Sequence, residues 1–546
     1  MTVATADNGI RALPRTASVA WHGDPAAVVF APDAVQAALR DGAQAYVVVR
    51  NPDGQVGMAP AAATTTRNGH STGWELLANA PACPPEQFGD PLFRAFHQVR
   101  YAYSTGAMAN GIASADLVIA MGQAQLLGSF GAAGLVPARV EENIQRIQQA
   151  LPNQPYAFNL IHSPSEEALE RGAVELYLKY GIRTVEASAF LALTPQIVRY
   201  RVAGLRLNPQ GQLEIQNRVI AKISRRETAA AFMQPAPDKL LAELVQQGYI
   251  TPQQAQLAQY VPMADDLTAE SDSGGHTDNR PLVSLLPSLL ALRDDIQAQR
   301  NYPMPVRVGA AGGISTPAAV LGAFMMGAAY VVTGSVNQAC VESGSSAHVR
   351  NLLAQAGIAD VMMAPAADMF EMGVKVQLLK KGTLFPLRAQ RLYELYVQYD
   401  ALEDIPAAER AKLEQQVFQK PLEEVWQETV NYFMQRDPEQ IERAADKPKR
   451  KMALVFRWYL GLSSRWANSG TAGREMDYQI WCGPAMGAFN DWVRGSYLEQ
   501  PANRRVVDVA MHLMHGAAHL YRVQSLRMQG VYLPTAYDGY RPEPLG

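Results

Sequence analysis

The 546-residue chain is too long for one ordinary core, since domains usually hold about 100–200 residues and barrels about 250. We therefore expect one large domain with additions at both ends. Apolar residues make up 48% and charged residues 18%, the balance of a globular protein, and a net charge of −3 argues against nucleic-acid binding.

The three cysteines, Cys83, Cys340 and Cys482, lie far apart in the sequence. They form neither a disulfide framework nor a zinc-binding spacing, which is typical of a protein from a reducing compartment. The first 15 residues lack the apolar stretch of a secretory signal. A cytoplasmic location is therefore predicted.

Residues 1–90 are predicted to form a small α/β region. AQAYVVVR (43–50) has the pattern of a strand, and NPDG (51–54) has the residues that turns prefer. The proline-rich stretch 81–91 follows and is a natural place for a domain boundary. A second domain is predicted over 91–390.

Short apolar runs alternate with helical segments in this second domain, which indicates βαβ units and a parallel sheet. A (β/α)₈ barrel needs eight strands, and seven are recognisable, so the eighth is expected near 98–108. A capping box from Ser163 to Glu166 begins one helix, and a helical insertion is expected around 238–262. The seven predicted strands lie at 117–122, 155–161, 184–190, 219–225, 266–276, 306–313 and 328–335.

The stretch between Arg307 and Glu342 carries no charge and needs a test for membrane insertion. A spanning helix requires about 20 continuous apolar residues. Here glycines, hydroxyl residues and Pro317 interrupt the apolar run. A short capped helix followed by a buried strand is therefore favoured over a membrane span.

Residues 391–546 are predicted to form a mostly helical C-terminal region. The basic run KPKRK (447–451) is interpreted as a solvated loop. His512, His515 and His519 share one face of a predicted helix, as metal ligands would. Only Asp508 adds a carboxylate there, so packing is favoured over a metal site, and none is predicted.

Glycine turns end the last two predicted strands of the barrel. They contain Gly312 and Gly313 in the first case and Gly334 and Ser335 in the second. In barrels of this kind, these two turns commonly bind a phosphate, because glycines let its oxygens approach backbone N–H groups. Ordinary capped loops remain the alternative. GSFGAAG (128–134) lacks the dinucleotide-binding spacing and indicates a flavin-facing or structural turn.

Three polar residues at or near the ends of predicted strands are candidates for chemistry. His276 follows Gly274 and Gly275 at a strand end, where it would point into the barrel mouth and titrate near neutrality. Asn159 and Lys222 interrupt apolar strands and need polar partners. A satisfied core residue, or for His276 a loop residue without function, remains the alternative.

The strand that contains Asn159 and the segments 273–276, 310–314 and 333–335 resemble the nitronate monooxygenase superfamily of FMN barrels. Longer stretches resemble its PfaD family, the trans-acting enoyl reductases of polyketide and polyunsaturated fatty acid synthases. The resemblance covers roughly residues 90–400, and the C-terminal region is also similar. The stretches that carry it are VRYAYSTGAMANGIAS (99–114), MGQAQLLGSFGAAGL (121–135), VEASAFLALTPQIVRYRVAGL (185–205), DSGGHTDNRPL (272–282) and GVKVQLLKKGTLFPLRAQRLYELY (373–396).

The resemblance implies an FMN site and a catalytic histidine. Gly106, Ala107 and Met108 would pass under the flavin ring, and Asn159 and Lys222 would contact the ring or its ribityl chain. Gly275 would adjoin the flavin, and His276 would face the substrate. The phosphate would be held by Gly312, Gly313, Gly334 and Ser335.

The implied reaction is reduction of a 2,3-enoyl thioester on an acyl carrier protein, with NADPH as hydride donor. His276 would stabilise the negative charge that develops on the thioester, supply the proton to the α-carbon, or both. Carrier proteins are usually acidic, so docking cations are expected at Arg225 and Arg226, at Lys380 and Lys381, or in 447–451. The alternatives are an FMN oxidase of the nitronate monooxygenase type and a catalytically silent docking subunit. The oligomeric state stays open, a homodimer included.

Overall fold

The architecture is that of a computed structural model, which describes residues 8–12, 19–64, 73–162 and 167–545. The capping box predicted from Ser163 to Glu166 lies outside these residues.

Eight parallel strands form a closed barrel, which confirms the predicted (β/α)₈ fold. Neighbouring strands pair in chain order, and the eighth pairs with the first, so the sheet closes on itself. Barrel strands 1 to 8 are Tyr103–Thr105, Leu127–Phe130, Ala157–Ile161, Thr184–Ser188, Arg218–Ile223, Asp266–Glu270, Arg307–Ala311 and Val331–Thr333.

Helices alternate with these strands and cover the outside of the barrel, as right-handed crossovers require. A hairpin, Leu205–Leu207 with Leu213–Ile215, precedes barrel strand 5. Helices Asp238–Gln246 and Pro252–Leu257 follow that strand at the position of the predicted insertion. The other helices of the barrel are Ala115–Gln123, Pro137–Ala150, Glu167–Lys179, Pro195–Ala203, Arg226–Met233, Leu282–Arg300, Pro317–Met325 and Ser335–Gln338.

The strand predicted at 117–122 is wrong: this run belongs to helix Ala115–Gln123, and barrel strand 2 is Leu127–Phe130. Ser114 begins the helix, because its Oγ accepts a hydrogen bond from the Leu117 backbone N–H at 3.1 Å. The helix is packed between barrel strand 2 and the long helix near the C-terminus. A helix covered on several sides has the same continuous apolar sequence as a buried strand.

Two other predictions for the barrel are confirmed. Barrel strand 1, Tyr103–Thr105, lies inside 98–108, where the unrecognised strand was expected. The uncharged stretch after Arg307 forms barrel strand 7, helix Pro317–Met325 and barrel strand 8. Within the described ranges, no helix is long and apolar enough to cross a membrane.

Buried ion pairs fill the amino end of the barrel. Arg307 Nε donates to Asp266 at 2.6 Å, and His97 Nε2 lies 2.7 Å from the same carboxylate. Arg201 donates two hydrogen bonds to Asp265, at 2.7 and 2.9 Å. Buried charges require such partners. The cavity described below lies at the opposite, carboxyl end of the strands.

The N-terminal region contains an antiparallel sheet, in line with its predicted α/β class. The predicted turn is present, with the Gly54 N–H donating to the Asn51 carbonyl at 2.9 Å. A short strand, Arg11–Ala12, pairs with Val531–Tyr532 and joins the two ends of the chain. The sheet has the order Val19–Ala20, Glu75–Ala80, Tyr46–Arg50 and Val56–Pro60. Helix Pro32–Arg40 lies between the first two of its strands in the chain, and helix Pro91–His97 follows the last.

The C-terminal region, 391–546, is mostly helical, as predicted. Before it in the chain, a small sheet, named here the C-terminal sheet, lies over the barrel mouth. In this antiparallel sheet, Lys375–Leu379 pairs with Gly275–His276 on one side and Val361–Pro365 on the other. The domain boundaries at 90 and 390 stay predictions. The helices from residue 347 onward are Ala347–Ala354, Phe385–Gln398, Ala407–Leu413, Leu422–Arg436, Glu439–Glu442, Pro448–Ser469, Ala485–Val493 and Val506–Met528, with a π-helical turn at Glu414–Phe418.

The basic run 447–451 is not a loop, which corrects the sequence interpretation. Helix Pro448–Ser469 begins within it, with Pro448 in the first turn, where its missing N–H is not needed. Lys449 donates to the Tyr396 and Tyr399 carbonyls, so part of the run is engaged with the protein itself.

The histidines of helix Val506–Met528 hold the end of the chain. The two ring nitrogens of His512 lie 3.0 Å from the hydroxyls of Tyr497 and Tyr540. His519 Nε2 donates to the Tyr537 carbonyl at 2.7 Å. In the described part of the chain, no three His, Cys, Asp or Glu residues are grouped so that they could hold a metal ion.

We expect His512 to make the fold acid-sensitive. Burial lowers the pKa of His512 to about 4 from 6.5. The unfolded chain therefore takes up the proton first, and stability present above pH 6.5 is lost as the pH falls toward 4. When the pH falls from about 7.5 to 5, the unfolding free energy of His512→Gln should decrease by about 2 kcal/mol less than that of the natural chain. Denaturant titrations at both pH values measure this, and equal losses would contradict it.

Candidate active site

A cavity opens at the carboxyl ends of the barrel strands, the end at which enzymes of this fold place their active sites. All the residues predicted for the site line this one cavity, because parallel strand ends meet at one edge of the barrel. They are Gly106, Ala107, Met108, Asn159, Lys222, Gly275, His276, Gly312, Gly313, Gly334 and Ser335.

The glycine turns after barrel strands 7 and 8 leave open space at the cavity wall. Gly312 and Gly313 have φ values of +85° and +70°, which glycine adopts without strain. A Cβ on Gly313 or Gly334 would meet no described atom within 4 Å. Ser315 Oγ is buried and has no hydrogen-bond partner among the described residues. Open space, backbone N–H groups and an unpaired hydroxyl suit an oxygen-rich anion such as a phosphate.

Lys222, in barrel strand 5, lies between two carboxylates. Its Nζ is 3.0 Å from Glu270 Oε1 and 3.7 Å from Glu186 Oε1. Burial alone lowers the pKa of Lys222, but the attraction of Glu270 and Glu186 outweighs it, so the pKa lies well above its ordinary value. The ammonium is therefore a fixed cation in the cavity wall.

Glu186, in barrel strand 4, holds the loop that follows barrel strand 1. Its Oε1 accepts a hydrogen bond from the Ala107 backbone N–H at 3.1 Å. The Gly106 N–H donates to the Thr333 carbonyl at 2.9 Å. The sequence analysis missed Glu186 and Glu270. Each is an acidic residue in an otherwise buried strand, and that departure is the feature that could have revealed them.

The glycine-rich stretch 128–134 is shaped by packing against the same loop. A Cβ on Gly131 would lie 1.7 Å from the Met108 carbonyl oxygen, so only glycine fits there. The Gly131 N–H donates to the Ala113 carbonyl at 2.9 Å. Ala133, from the same stretch, lines the cavity.

Asn159, in barrel strand 3, is buried with partners from the protein. Its Nδ2 donates to the Glu186 carbonyl at 3.1 Å and to Ser188 Oγ at 2.9 Å. Tyr177 OH donates to the Asn159 carbonyl at 2.6 Å. The two bonds from Nδ2 fix the side chain at the cavity wall and satisfy its amide nitrogen, and the Tyr177 bond holds the backbone.

His276 lies where the barrel meets the C-terminal sheet. It pairs with Val376, and its Nε2 lies 3.2 Å from Asp368 Oδ1. Burial alone lowers the pKa of His276, but the attraction of Asp368 and the hydrogen bond to it outweigh burial and raise the pKa above 6.5. The pair with Asp368 therefore shifts the imidazole toward its protonated form.

The C-terminal region completes the cavity, which the sequence analysis did not predict. Trp481 and Ala485 line it, together with the barrel residues. Backbone contact is close, since a Cβ on Gly274 would lie 3.0 Å from Cys482 atoms. The Gly483 N–H donates to Ser335 Oγ at 3.0 Å. The C-terminal region thus contacts one of the two glycine turns directly.

Three family models match the chain. The model described as nitronate monooxygenase matches residues 91–392, more than half of the chain. The chain belongs to the nitronate monooxygenase family. The model of the fatty acid synthase subunit PfaD N-terminal domain matches residues 21–82 of this family member, which together with the relatives below confirms the PfaD resemblance. The inserted helical domain of [acyl-carrier-protein] S-malonyltransferase matches residues 399–478.

Relatives of this family member come from biosynthetic systems. The enoyl reductase domain of MlnA, from the macrolactin biosynthesis cluster of Bacillus amyloliquefaciens, is 37% identical, with a TM-score of 0.77 over 82% of this chain and 100% of that one. A polyunsaturated fatty acid synthase subunit of Thraustochytrium sp. is 52% identical over 85% of this chain but 32% of its own length. Polyketide biosynthesis protein PksE of Bacillus subtilis is 44% identical over 82% of this chain and 58% of its own length. The chain thus spans about a third of the synthase subunit and over half of PksE.

Removing the Lys222 ammonium should destabilise the fold. Lys222→Met would leave Glu186 and Glu270 without their cation, and losing one partner of a buried ion pair costs about 3–5 kcal/mol. Since Lys222 is 15% exposed, we expect the lower end of that range. Denaturant unfolding measures the loss. Lys179→Met, which removes the exposed pair with Glu141, is the control and should change little. Similar small effects of both variants would contradict the prediction.

Proposed function

We propose that the protein is a trans-acting enoyl reductase that uses FMN and NADPH to reduce 2,3-enoyl thioesters on an acyl carrier protein. The observation that carries the proposal is the convergence of two open glycine turns, a fixed ammonium and an imidazole in one cavity. A solved relative with the same overall fold is named as an enoyl reductase domain. That name supports the activity proposed for this chain.

FMN fits the residues present. The open space beside Gly313 and Gly334 and the unpaired Ser315 hydroxyl suit its phosphate, with Gly312 and Ser335 in the same turns. Bound FMN would accept a hydride from NADPH and pass it to the substrate.

The rest of the cavity suits the ring system of FMN. Residues 106–108 offer a backbone platform, and Asn159 is a fixed polar contact. Lys222 would offer a hydrogen-bond donor to the ring, although its charge is shared with Glu186 and Glu270. Gly275 lines the same cavity, and a Cβ there would contact the Trp481 ring at 3.4 Å.

His276 is the proposed catalytic residue. Hydride addition to the β-carbon of an enoyl thioester places negative charge on the thioester oxygen and α-carbon. A protonated imidazole stabilises that charge by hydrogen bonding and can supply the proton that the α-carbon takes up. Trp481 and Ala485 reduce the access of water to this position.

The substrate is proposed to arrive on a carrier protein, within a polyketide or polyunsaturated fatty acid synthase of the kind named for the relatives. Arg225 and Arg226 begin the helix after barrel strand 5, at the cavity end of the barrel, although Arg225 is already paired with Asp278 at 2.9 Å. Lys380 and Lys381 follow the strand that pairs with His276. These two basic pairs are the proposed docking cations, and a cytoplasmic location and a homodimer belong to the same proposal.

The experiment combines flavin analysis of the purified protein with NADPH oxidation on a crotonyl thioester, carried by pantetheine or by carrier protein. NADPH loss that requires the thioester supports the proposal, and a lower KM for the carrier-bound form supports docking. The family match favours one other activity, nitroalkane oxidation. Oxygen uptake with nitroalkane, without any response to the thioester, would replace the proposal with that activity. A chain that retains no FMN would refute both.

A further inference from the structure

His276 lies in a sheet beside the loop that carries the carboxylate it contacts. Asp368 lies in the connection between strands Val361–Pro365 and Lys375–Leu379, and Lys375–Leu379 pairs with His276 itself. The distance from His276 Nε2 to Asp368 Oδ1 is 3.2 Å, and the two side chains are 26% and 31% exposed. The pair is thus partly shielded from water, and the strand of His276 is fixed by its pairing with Val376.

The charged groups around His276 leave Asp368 as its dominant partner. Glu270 and Lys222 also act on the imidazole, but in opposite directions, and they are paired with each other at 3.0 Å. Burial raises the pKa of Asp368, but the charge of His276, the hydrogen bonds to His276 and to the backbone and, least, Arg457 outweigh burial and hold the pKa below its usual value. Asp368 therefore stays ionised.

The cation that supports Asp368 comes from the C-terminal region. Arg457 belongs to helix Pro448–Ser469, and its Nη1 lies 3.4 Å from Glu371 Oε1, three residues after Asp368. The helix lies within the segment 399–478 that resembles the malonyltransferase insertion. The C-terminal helices thus act on the cavity through charge as well as by covering it.

We propose that Asp368 is a positioning residue that holds His276 as an imidazolium, with Nε2–H donated to Asp368 and Nδ1–H left for transfer to the substrate. The inference rests on the proposed enoyl reduction. The bound cofactor would supply the hydride for the β-carbon, and the α-carbon would take the proton from Nδ1. The imidazole is then neutral and regains its proton from solvent. Asp368 itself keeps its charge throughout.

The test is the pH dependence of Asp368→Asn, in which an amide of the same size replaces the carboxylate. If His276 must be protonated, kcat/KM for the crotonyl thioester falls as the pH rises through the pKa of the imidazole. Losing a carboxylate at this distance should move that fall to lower pH by about one unit or more. Asp368→Glu keeps a carboxylate, so its kcat/KM should fall at a pH close to that of the natural chain.

A second readout does not depend on turnover. NMR of protein labelled at histidine Cε1 follows each imidazole, and the signal missing from His276→Gln identifies His276. Its pKa should fall in Asp368→Asn. Glu170→Gln is the matched control, because Glu170 lies 2.8 Å from His162, a pair that does not line the cavity. Glu170→Gln should change the chemical shift of the His162 signal and leave the pKa of His276 unchanged.

The outcomes separate the two proposals. An unchanged pKa of His276 in Asp368→Asn overturns the role of Asp368. A lowered pKa with an unshifted kcat/KM profile shows that the proton does not come from His276 and also overturns it. A natural chain that is inactive on the thioester refutes the proposed function itself, whatever the NMR titration gives.

Discussion

His276→Ala is expected to lower kcat for enoyl thioester reduction by roughly 10²–10⁴-fold, the range that a general acid contributes. The side chain lines the cavity and its pKa is raised by Asp368, so its loss removes both the proposed proton donor and the stabilisation of the thioester oxygen. Steady-state NADPH oxidation with the crotonyl thioester measures the change. The FMN content should remain that of the natural chain, because the glycine turns are untouched.

The control for this variant is His348→Ala, since His348 is exposed and packs edge-on against Tyr478 outside the cavity. It should keep the natural rate. Full turnover by His276→Ala would remove His276 from the mechanism. It would leave water or another cavity group as the proton source.

Much of the barrel could be predicted because buried parallel strands leave short apolar runs at regular spacing. That pattern predicted six of the eight strands directly. A seventh was inferred near 98–108 because a closed barrel lacked one strand. It failed at 117–122, where a helix is covered on several sides and carries the same apolar run. Only a local feature distinguishes this helix from a strand: Ser114 lies immediately before it and caps its N-terminus.

The predicted site residues converge because each lies at or near the carboxyl end of a barrel strand or in the turn that follows it. Nothing in the sequence pattern could bring in Asp368, which is 92 residues from His276, or Trp481. Their positions depend on how the C-terminal sheet and helices pack on the barrel mouth. Such packing joins segments that are distant in sequence and leaves no periodicity to detect.

Gly313→Glu is expected to abolish FMN retention. A Cβ at Gly313 meets no described atom within 4 Å, so a glutamate can extend into the space proposed for the phosphate. Two like charges brought together there cost several kcal/mol, and about 2.7 kcal/mol already corresponds to 100-fold weaker binding. We therefore expect the Kd for FMN to rise by at least roughly 100-fold. Flavin absorbance of the purified variant and titration of the apoprotein with FMN measure it.

Gly313→Ala separates charge from backbone strain. Both variants place a side chain at a φ of +70°, which costs about 1 kcal/mol whatever the side chain is. The alanine variant should therefore bind FMN within about tenfold of the natural chain. Equal affinity of the two variants would mean that the phosphate does not lie beside Gly313. The glycine turns would then be ordinary helix caps, the alternative that their sequence also allows.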